Sequence, residues 1–304
     1  MKNYLITGAT GFLGSIMMKH FRENSLETFT LYNLCGKNDE KIDITETFSF
    51  DEDVAFDIVV HLAGKAHSVP KTLDQEEMFY AVNLGGTKNL CSAIDKLKVK
   101  PKSFIFISTV AVYGLESGEM IQEDSPLSGK TPYANSKKLA EEFLINWAKE
   151  NNIILGILRL PLIAGPNPPG NLGAMISGIR SGRYLSIGRA NAKKSIVWAE
   201  DIADIIPVLA EVGGIYNITD GIHPSFKELE IVISKALSKS PPVAIPMVLA
   251  KLLGGIGNIL GSKFPINSNK LDKITSTLTF DDTKARNMLT WKPSSVLEKL
   301  SKSL

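Results

Sequence analysis

Tyr133 and Lys137 stand four residues apart in a segment where Leu139, Ala140, Phe143, Leu144 and Trp147 recur at helical spacing, so a helix puts phenol and ammonium on one face. A neighbouring cation favours phenolate, which equips such a tyrosine to move a proton near neutral pH. Upstream, the apolar run Phe104-Ile105-Phe106-Ile107 reads as a buried strand, and Ser108 and Thr109 fall where it opens into the loop Val110 to Gly114. The ends of strands in parallel sheets are where chemistry sits. A hydroxyl and a phenol converging on one substrate oxygen could interconvert alcohol and ketone, the proton moving through the pair as a hydride moves. Tyr-x-x-x-Lys also arises by chance on solvated helix faces, so the pair gains meaning only from the elements around it.

At the N-terminus, Tyr4 to Thr7 reads as a short strand running into Gly8-Ala9-Thr10-Gly11-Phe12-Leu13-Gly14, which opens a helix with Phe12, Leu13, Ile16 and Met17 on its apolar side. Glycines at three-residue spacing permit a tight turn, bring backbone N–H groups close to a pyrophosphate and let helix and strand pack closely, and the strand-turn-helix context predicts a bound dinucleotide. Further strands are expected at Thr28 to Tyr32, Asp57 to Leu62 and Ile154 to Leu160, and one long helix from about Glu76 to Leu97. Ala63-Gly64 supplies small residues where backbone must pass close to a cofactor. His61 reads as a core histidine without a chemical role. Beyond Pro166 the alternation of strand and helix becomes irregular, with Pro168, Pro169 and Gly170 marking a loop out of the first domain.

With 304 residues the chain can bury one large or two interleaved cores, and its net charge of +2 with dispersed basic residues gives no reason to expect nucleic acid. Cys35 and Cys91 make no disulfide framework, and His20, His61, His67 and His223 form no metal-ligand spacing, so no metal is expected. Met1-Lys2-Asn3 leads directly into the first strand, which predicts a cytoplasmic protein without a signal peptide. No stretch reads as a membrane span; the apolar Pro246 to Leu260 is expected to form a helix packed on the core in preference to a membrane-surface contact.

Gly8-x-x-Gly11-x-x-Gly14, His61-Leu62-Ala63-Gly64, Asn83-x-x-Gly86-Thr87, Ser108-Thr109, Val112-Tyr113-Gly114 and Tyr133-x-x-x-Lys137 together resemble the extended short-chain dehydrogenase/reductase family of nucleotide-sugar enzymes. The likeness continues through Arg159 to Gly165 and to Leu289-Thr290-Trp291-Lys292-Pro293. It implies an α/β fold: a Rossmann-type doubly wound parallel sheet over residues 1–165, with a return at about 193–220, and a smaller interleaved C-terminal α/β domain over 166–304 that binds substrate. By the same likeness Thr109, Tyr133 and Lys137 are catalytic. Gly8, Thr10, Gly11, Phe12, Leu13, Gly14, Asn33, Asp43, Ile44, Leu62, Ala63, Gly64, Lys65, Ser108, Tyr133 and Lys137 would hold NAD or NADP. Thr109, Val110, Leu162, Asn171, Leu172 and Lys194 would meet a nucleotide sugar, for which the likeness suggests a UDP-linked hexose, with Lys273 a further phosphate contact. Asn83 would brace the sheet behind the site.

Two departures bear on the reaction. Relatives that choose NAD carry an acid at the adenosine ribose and those that choose NADP a basic residue; here Tyr32-Asn33-Leu34 offers neither and Lys37 is the available cation, so the choice stays open. The family's dehydratases carry an Asp-Glu pair where this chain has Val110-Ala111, which disfavours 4,6-dehydration. Many of its epimerases carry Asn at the position of Leu162, and an apolar residue is more typical of its keto-sugar reductases. The sequence alone therefore tilts slightly toward a UDP-4-keto-(6-deoxy)-hexose 4-reductase, with a UDP-hexose or UDP-N-acetylhexosamine 4-epimerase as the alternative and a non-catalytic dinucleotide sensor as a remote one. A homodimer through the helices of Tyr133 and Asn83 is the family's habit.

Overall fold

The computed structural model describes residues 2–24, 29–33, 42–66, 68–260 and 268–304. β1 (Lys2–Thr7) turns at the glycines into α1 (Phe12–Asn24), then come β2 (Phe29–Asn33) and β3 (Ile58–His61). α2 (Leu73–Tyr80) and α3 (Gly86–Asp95) precede β4 (Ser103–Thr109), and β5 (Gly118–Ile121) follows it. α4 (Pro132–Glu150) starts with proline in its first turn and with the Thr131 hydroxyl accepting from the Ala134 N–H, an N-cap that sets the helix start immediately before Tyr133. β6 (Ile154–Leu160) and β7 (Leu162–Ala164) lead to α5 (Gly170–Arg180), β8 (Ser186–Ile187), β9 (Ile196–Trp198), α6 (Ala199–Val212) and β10 (Gly214–Asn217). The remainder is α7 (Phe226–Ala236), β11 (Ala244–Ile245), α8 (Met247–Leu260), α9 (Ser268–Thr275), β12 (Leu278–Phe280), α10 (Thr283–Leu289) and α11 (Val296–Ser303).

Six strands form one parallel sheet in the order β10-β6-β4-β3-β1-β2. From β1 the chain winds to β2 on one side and to β3 on the other, so the carboxyl ends of β1 and β3, in register as Thr7 beside His61, flank the switch-point crevice. Both faces of the sheet are covered. One core joins Ile6, Val60, Ile105 and Leu158 to α1 and α6; the other joins Leu5, Val59, Phe104 and Phe106 to α3 and α4. A third cluster unites Leu172, Met175 and Ile176 of α5, Ile196 and Trp198 of β9, Leu229 and Ile233 of α7, and Val296 and Leu300 of α11.

The structure departs from sequence expectation in three places. The long helix is broken: a π-helical turn at Ala81–Gly85 joins α2 to α3, and its fully buried Asn83 spends its side chain on groups outside the helix. Asp281 to Ala285, expected in the substrate-binding domain, instead leads into a segment whose Ala285, Leu289 and Trp291 join the α1/α6 core. α8, expected against the core, buries Ala250 in a satellite cluster with Ile187 and Leu271 and leaves Val248, Leu249 and Leu252 exposed.

Candidate active site

The glycine turn is fixed by close approach. Gly8 has φ +71°, and a Cβ there would lie 2.6 Å from the Ala63 nitrogen; a Cβ on Gly14 would lie 2.2 Å from the Gly8 oxygen. Gly11 differs: it is exposed, its N–H donates to the Gly8 oxygen at 3.0 Å, and a Cβ on it would meet only that oxygen, at 3.2 Å. The outer glycines thus serve the packing of strand on helix, and the middle one leaves open the space before the α1 N-terminus. Thr10 is exposed, Phe12 half-buried and Leu13 buried. A turn that a side chain would fill, at the N-terminus of a helix, fits a dinucleotide pyrophosphate.

Across the crevice, the Ala63 N–H donates to Thr7 Oγ1 at 3.1 Å, and Thr7 Oγ1 lies 2.6 Å from His61 Nδ1. His61 Nε2 lies 2.9 Å from Thr87 Oγ1, whose hydroxyl donates to the Asn83 carbonyl at 2.6 Å. With both threonine hydroxyl protons so directed, the neutral Nε2–H tautomer satisfies every link. Burial first, and the Lys137 charge second, push His61 down to about 3, so it stays neutral. Asn83 Oδ1 accepts the Lys65 N–H at 2.7 Å, while its amide donates to the Lys65 carbonyl at 3.2 Å and to Ser136 Oγ at 2.9 Å. Leu62, Ala63, Gly64 and Lys65 are thereby tied to α4, and Gly64 passes so close that a Cβ on it would lie 3.2 Å from Lys137 Nζ.

The three residues expected to act together converge. Thr109, at the end of β4, stands where its hydroxyl partly offsets the raised pKa of the Tyr133 phenol, and it accepts the Ala111 N–H at 3.2 Å. Lys137 is buried; its Nζ donates to the Ile107 carbonyl at 2.9 Å and sits 4.4 Å from the Phe106 ring centroid. Burial lowers its pKa to about 8 against the opposing pull of Glu141. The phenol is not acidified as the spacing suggested: burial raises its pKa, and the group that pulls it back is Thr109, because the Lys137 ammonium is directed at the end of β4.

Ser108 directs its hydroxyl into Glu141. Ser108 and Arg159 are opposed in the β4/β6 register, so both meet the same residue of α4. Arg159 Nη2 donates to Glu141 Oε2 at 2.8 Å, and its Nη1 donates to Tyr113 Oη at 3.0 Å and to the Glu123 carbonyl at 2.9 Å. The ion pair is buried on both sides, and Tyr113 Oη passes the network on to Asn217 Oδ1 at 2.8 Å. Sequence reasoning missed Glu141; the signal was a carboxylate four residues beyond Lys137 on the otherwise apolar side of α4.

The remaining expected contacts are dispersed. Asp43 is exposed and binds the Thr45 N–H and hydroxyl, which lower its pKa, while Ile44 packs where a Cβ on Gly86 would go. Asn33 ends β2, and Leu34, Cys35, Lys37 and His67 lie outside the described residues. Val110 and Ala111 form a 3₁₀ turn directly after Thr109. Leu162 is half-buried against the third cluster, Asn171 is exposed on α5, and Leu172 is buried within that cluster. Lys194 is half-buried with Glu116 and Lys273 nearby, and burial lowers its pKa. Among the described residues no three His, Cys, Asp or Glu side chains gather as metal ligands, and no helix is long and apolar enough to cross a membrane.

Residues 4–219 match the model of the NAD dependent epimerase/dehydratase family. The chain is 28% identical over 305 residues, covering 94% of itself and 89% of the relative, to an N-acetyl-alpha-D-glucosaminyl-diphospho-ditrans,octacis-undecaprenol 4-epimerase of Escherichia coli O157:H7. It is 27% identical to a UDP-glucose 4-epimerase of Vibrio cholerae, covering 98% of this chain and 92% of that one. Among solved structures, RMD from Pseudomonas aeruginosa complexed with NADPH superposes with a TM-score of 0.76 at 18% identity, covering 99% and 97% of the two chains. A Thermotoga maritima UDP-glucose 4-epimerase with UDP-glucose superposes at 0.75 and 21% identity, covering 99% and 97%. At those identities the superpositions speak to the fold.

Proposed function

The chain belongs to the NAD dependent epimerase/dehydratase family, and from that premise we propose that it is a nucleotide-sugar 4-epimerase, acting on a UDP-linked hexose or N-acetylhexosamine with NAD or NADP. The observation that carries the chemistry is the convergence of the Thr109 hydroxyl and the Tyr133 phenol beside buried Lys137. The near full-length likeness to two 4-epimerases supports epimerisation over net reduction.

The cofactor, when bound, supplies a nicotinamide that accepts and returns hydride. Gly8, Gly11 and Gly14 would hold its pyrophosphate at the α1 N-terminus, with Thr10, Phe12 and Leu13 around them. Leu62, Ala63, Gly64, Lys65 and Ser108 would line its path by their backbone, Asn33, Asp43 and Ile44 would flank the adenosine, and the Lys137 ammonium would meet the nicotinamide ribose. Tyr133 would take the proton of the sugar O4 hydroxyl as the alcohol becomes a ketone, once the positive charge of the bound oxidised cofactor favours its phenolate over the raised pKa that burial gives it, and would give the proton back on return. Thr109 donates to the same oxygen, and the Ala111 N–H fixes its hydroxyl. Val110, Leu162, Asn171, Leu172 and Lys194 would form the sugar-diphosphate side, in the lobe built mainly from residues 166–304. The Val110-Ala111 side chains cannot carry a proton, which argues against dehydration. Leu73, Met78 and Ile145 are exposed on α2 and α4, which supports a homodimer through those helices.

A second reading, a 4-keto-sugar reductase, is favoured by the apolar Leu162. The two are separated by incubating the pure protein with UDP-N-acetylglucosamine or UDP-glucose and observing the sugar anomeric signals by NMR. Appearance of the C4 epimer without net consumption of reduced nicotinamide is the expected result. Inertness toward both, with stoichiometric loss of NADH or NADPH on addition of a UDP-4-keto-6-deoxyhexosamine, would overturn it.

A further inference from the structure

We infer that Glu141 is a positioning residue for the reaction proposed above: it fixes the end of β4 against α4, so that Lys137 and Tyr133 keep their places beside Thr109. The inference rests on the assignment of those three residues and adds to it the group that holds them in register.

Tyr133, Lys137 and Glu141 follow one another at one-turn intervals on α4 and share one face of it. Opposite them are three consecutive residues of β4. The Lys137 ammonium donates to the Ile107 carbonyl at 2.9 Å, Glu141 Oε1 accepts the Ser108 hydroxyl, and the Thr109 hydroxyl stands by the Tyr133 phenol. Side chains alternate along a strand, so Ser108 continues the row of Phe104 and Phe106, which lies in the α3/α4 core. Phe104 meets Trp147 with ring centroids 5.5 Å apart, and Phe106 lies under Lys137. At the last position of that row the contact changes from ring packing to a directed hydrogen bond, immediately before the residue proposed to meet substrate.

The carboxylate is itself held from the sheet. Arg159 Nε and Nη2 reach Glu141 Oε2 at 3.2 and 2.8 Å. The β4/β6 register sets Ser108 beside Arg159, and the β6/β10 register sets Arg159 beside Asn217, so the three form one row across the carboxyl end of the sheet. Tyr113 Oη closes the row, accepting from Arg159 and donating to Asn217, whose amide donates to the Ile121 carbonyl at 3.0 Å. Glu141, Arg159 and Asn217 are all buried. A buried ion pair is often no better for stability than apolar side chains of the same volume, so packing alone does not call for one here. What the carboxylate adds is direction: one oxygen takes the serine of β4, the other the arginine of β6, and its charge lies one turn from the Lys137 ammonium. The titratable groups around Lys137 are Glu141 one turn after it, the Tyr133 phenol one turn before it, neutral His61 of β3, and Arg159 of β6 behind Glu141. Of these, Glu141 opposes the burial that lowers the Lys137 pKa.

The test uses two variants of the full chain. It reads steady-state kinetics with a UDP-sugar across pH, the melting temperature, and carbon-13 NMR titration of labelled lysine, the Lys137 signal being the one lost in Lys137→Met. Glu141→Met with Arg159→Met replaces the pair by apolar side chains and should melt close to wild type. Its kcat should fall by at least about tenfold, KM should change less than about threefold, and its alkaline limb should move down by at least about half a pH unit. Glu141→Gln keeps an acceptor for Ser108 and removes the charge. It should melt lower, because Arg159 loses its partner, and Lys137 should titrate at least about half a pH unit lower. Below the alkaline limb its kcat should exceed that of the double variant by at least about threefold. A double variant with wild-type kcat and alkaline limb overturns the inference, as does a Glu141→Gln protein whose Lys137 titrates as in wild type. So do losses of turnover that merely follow the melting temperature from variant to variant. If the double variant does not fold, the Lys137 titration in Glu141→Gln decides. A wild-type protein inert toward UDP-sugars would overturn the reaction and not the placement, which the same titration then decides.

Discussion

Tyr133→Phe keeps the ring and deletes the proton, and turnover should fall by at least about a hundredfold with cofactor affinity little changed. Steady-state kinetics beside a nucleotide titration checks both; near-normal turnover would remove Tyr133 from the reaction. Thr109→Val should lower turnover comparably or somewhat less. Ser108→Ala acts elsewhere, since its hydroxyl serves Glu141, and should cost about 1–3 kcal/mol of stability with a smaller kinetic effect. Lys137 sets a pH limit. Its pKa in the fold, about 8, lies below the ordinary 10.5, so across that interval the unfolded chain binds more protons and stability rises with pH, while the folded protein sheds the charge proposed to grip the ribose. kcat/KM should therefore fall above about pH 8 while the denaturant midpoint does not. The same alkaline limb in Lys137→Met would assign it to another group.

At the scale of elements, the glycine turn separates two functions one residue type apart. Gly14→Ala drives a methyl into the Gly8 carbonyl and should unseat α1, seen as a lowered melting temperature, whereas Gly11→Ala should fold normally and bind the dinucleotide at least about tenfold more weakly. Equal melting temperatures for the two would refute the division. His61 joins β1 and β3 to the start of α3 and stays unprotonated down to about pH 3, so between pH 6.5 and 3 the unfolded state takes up a proton that the fold refuses. Stability should fall on acidification through that window with a one-proton slope of about 1.4 kcal/mol per pH unit from this residue, absent in His61→Gln. These elements were unevenly legible in the sequence. The glycine turn and the Tyr133/Lys137 pair could be read because both are local, one fixed by backbone contact and the other by helix pitch. The pairing of Arg159 and Ser108 with Glu141 could not, because it depends on the β4/β6 register and on how α4 lies over both strands. The π turn at Asn83 was hidden for a similar reason: its cause is a hydrogen-bond demand from Lys65 and Ser136, far away in the chain. Leu172 and Lys194 were placed by resemblance alone, and the structure shows them buried and half-buried.

Over the whole molecule, the two readings of the reaction differ in what the protein must retain. An epimerase has to keep the reduced nicotinamide until the hydride returns to the same sugar, so the crevice must close on the dinucleotide from both sides of the switch point. This fold has the means to do so: the glycine turn stands on one side, and on the other the 62–65 segment is pinned to Thr7 and, through Asn83, to α4. A reductase must release the oxidised form after each turnover, which a rigid clamp slows. The purified protein should therefore release close to one nicotinamide dinucleotide per chain on denaturation. A UDP-hexose deuterated at C4 should then give an epimer that keeps the label, because the hydride leaves and returns within one bound pair. Little bound nucleotide, together with a deuterated UDP-hexose left unchanged and stoichiometric consumption of added NADH or NADPH by a UDP-4-keto-6-deoxyhexosamine, would establish net reduction and make Leu162 the more informative residue.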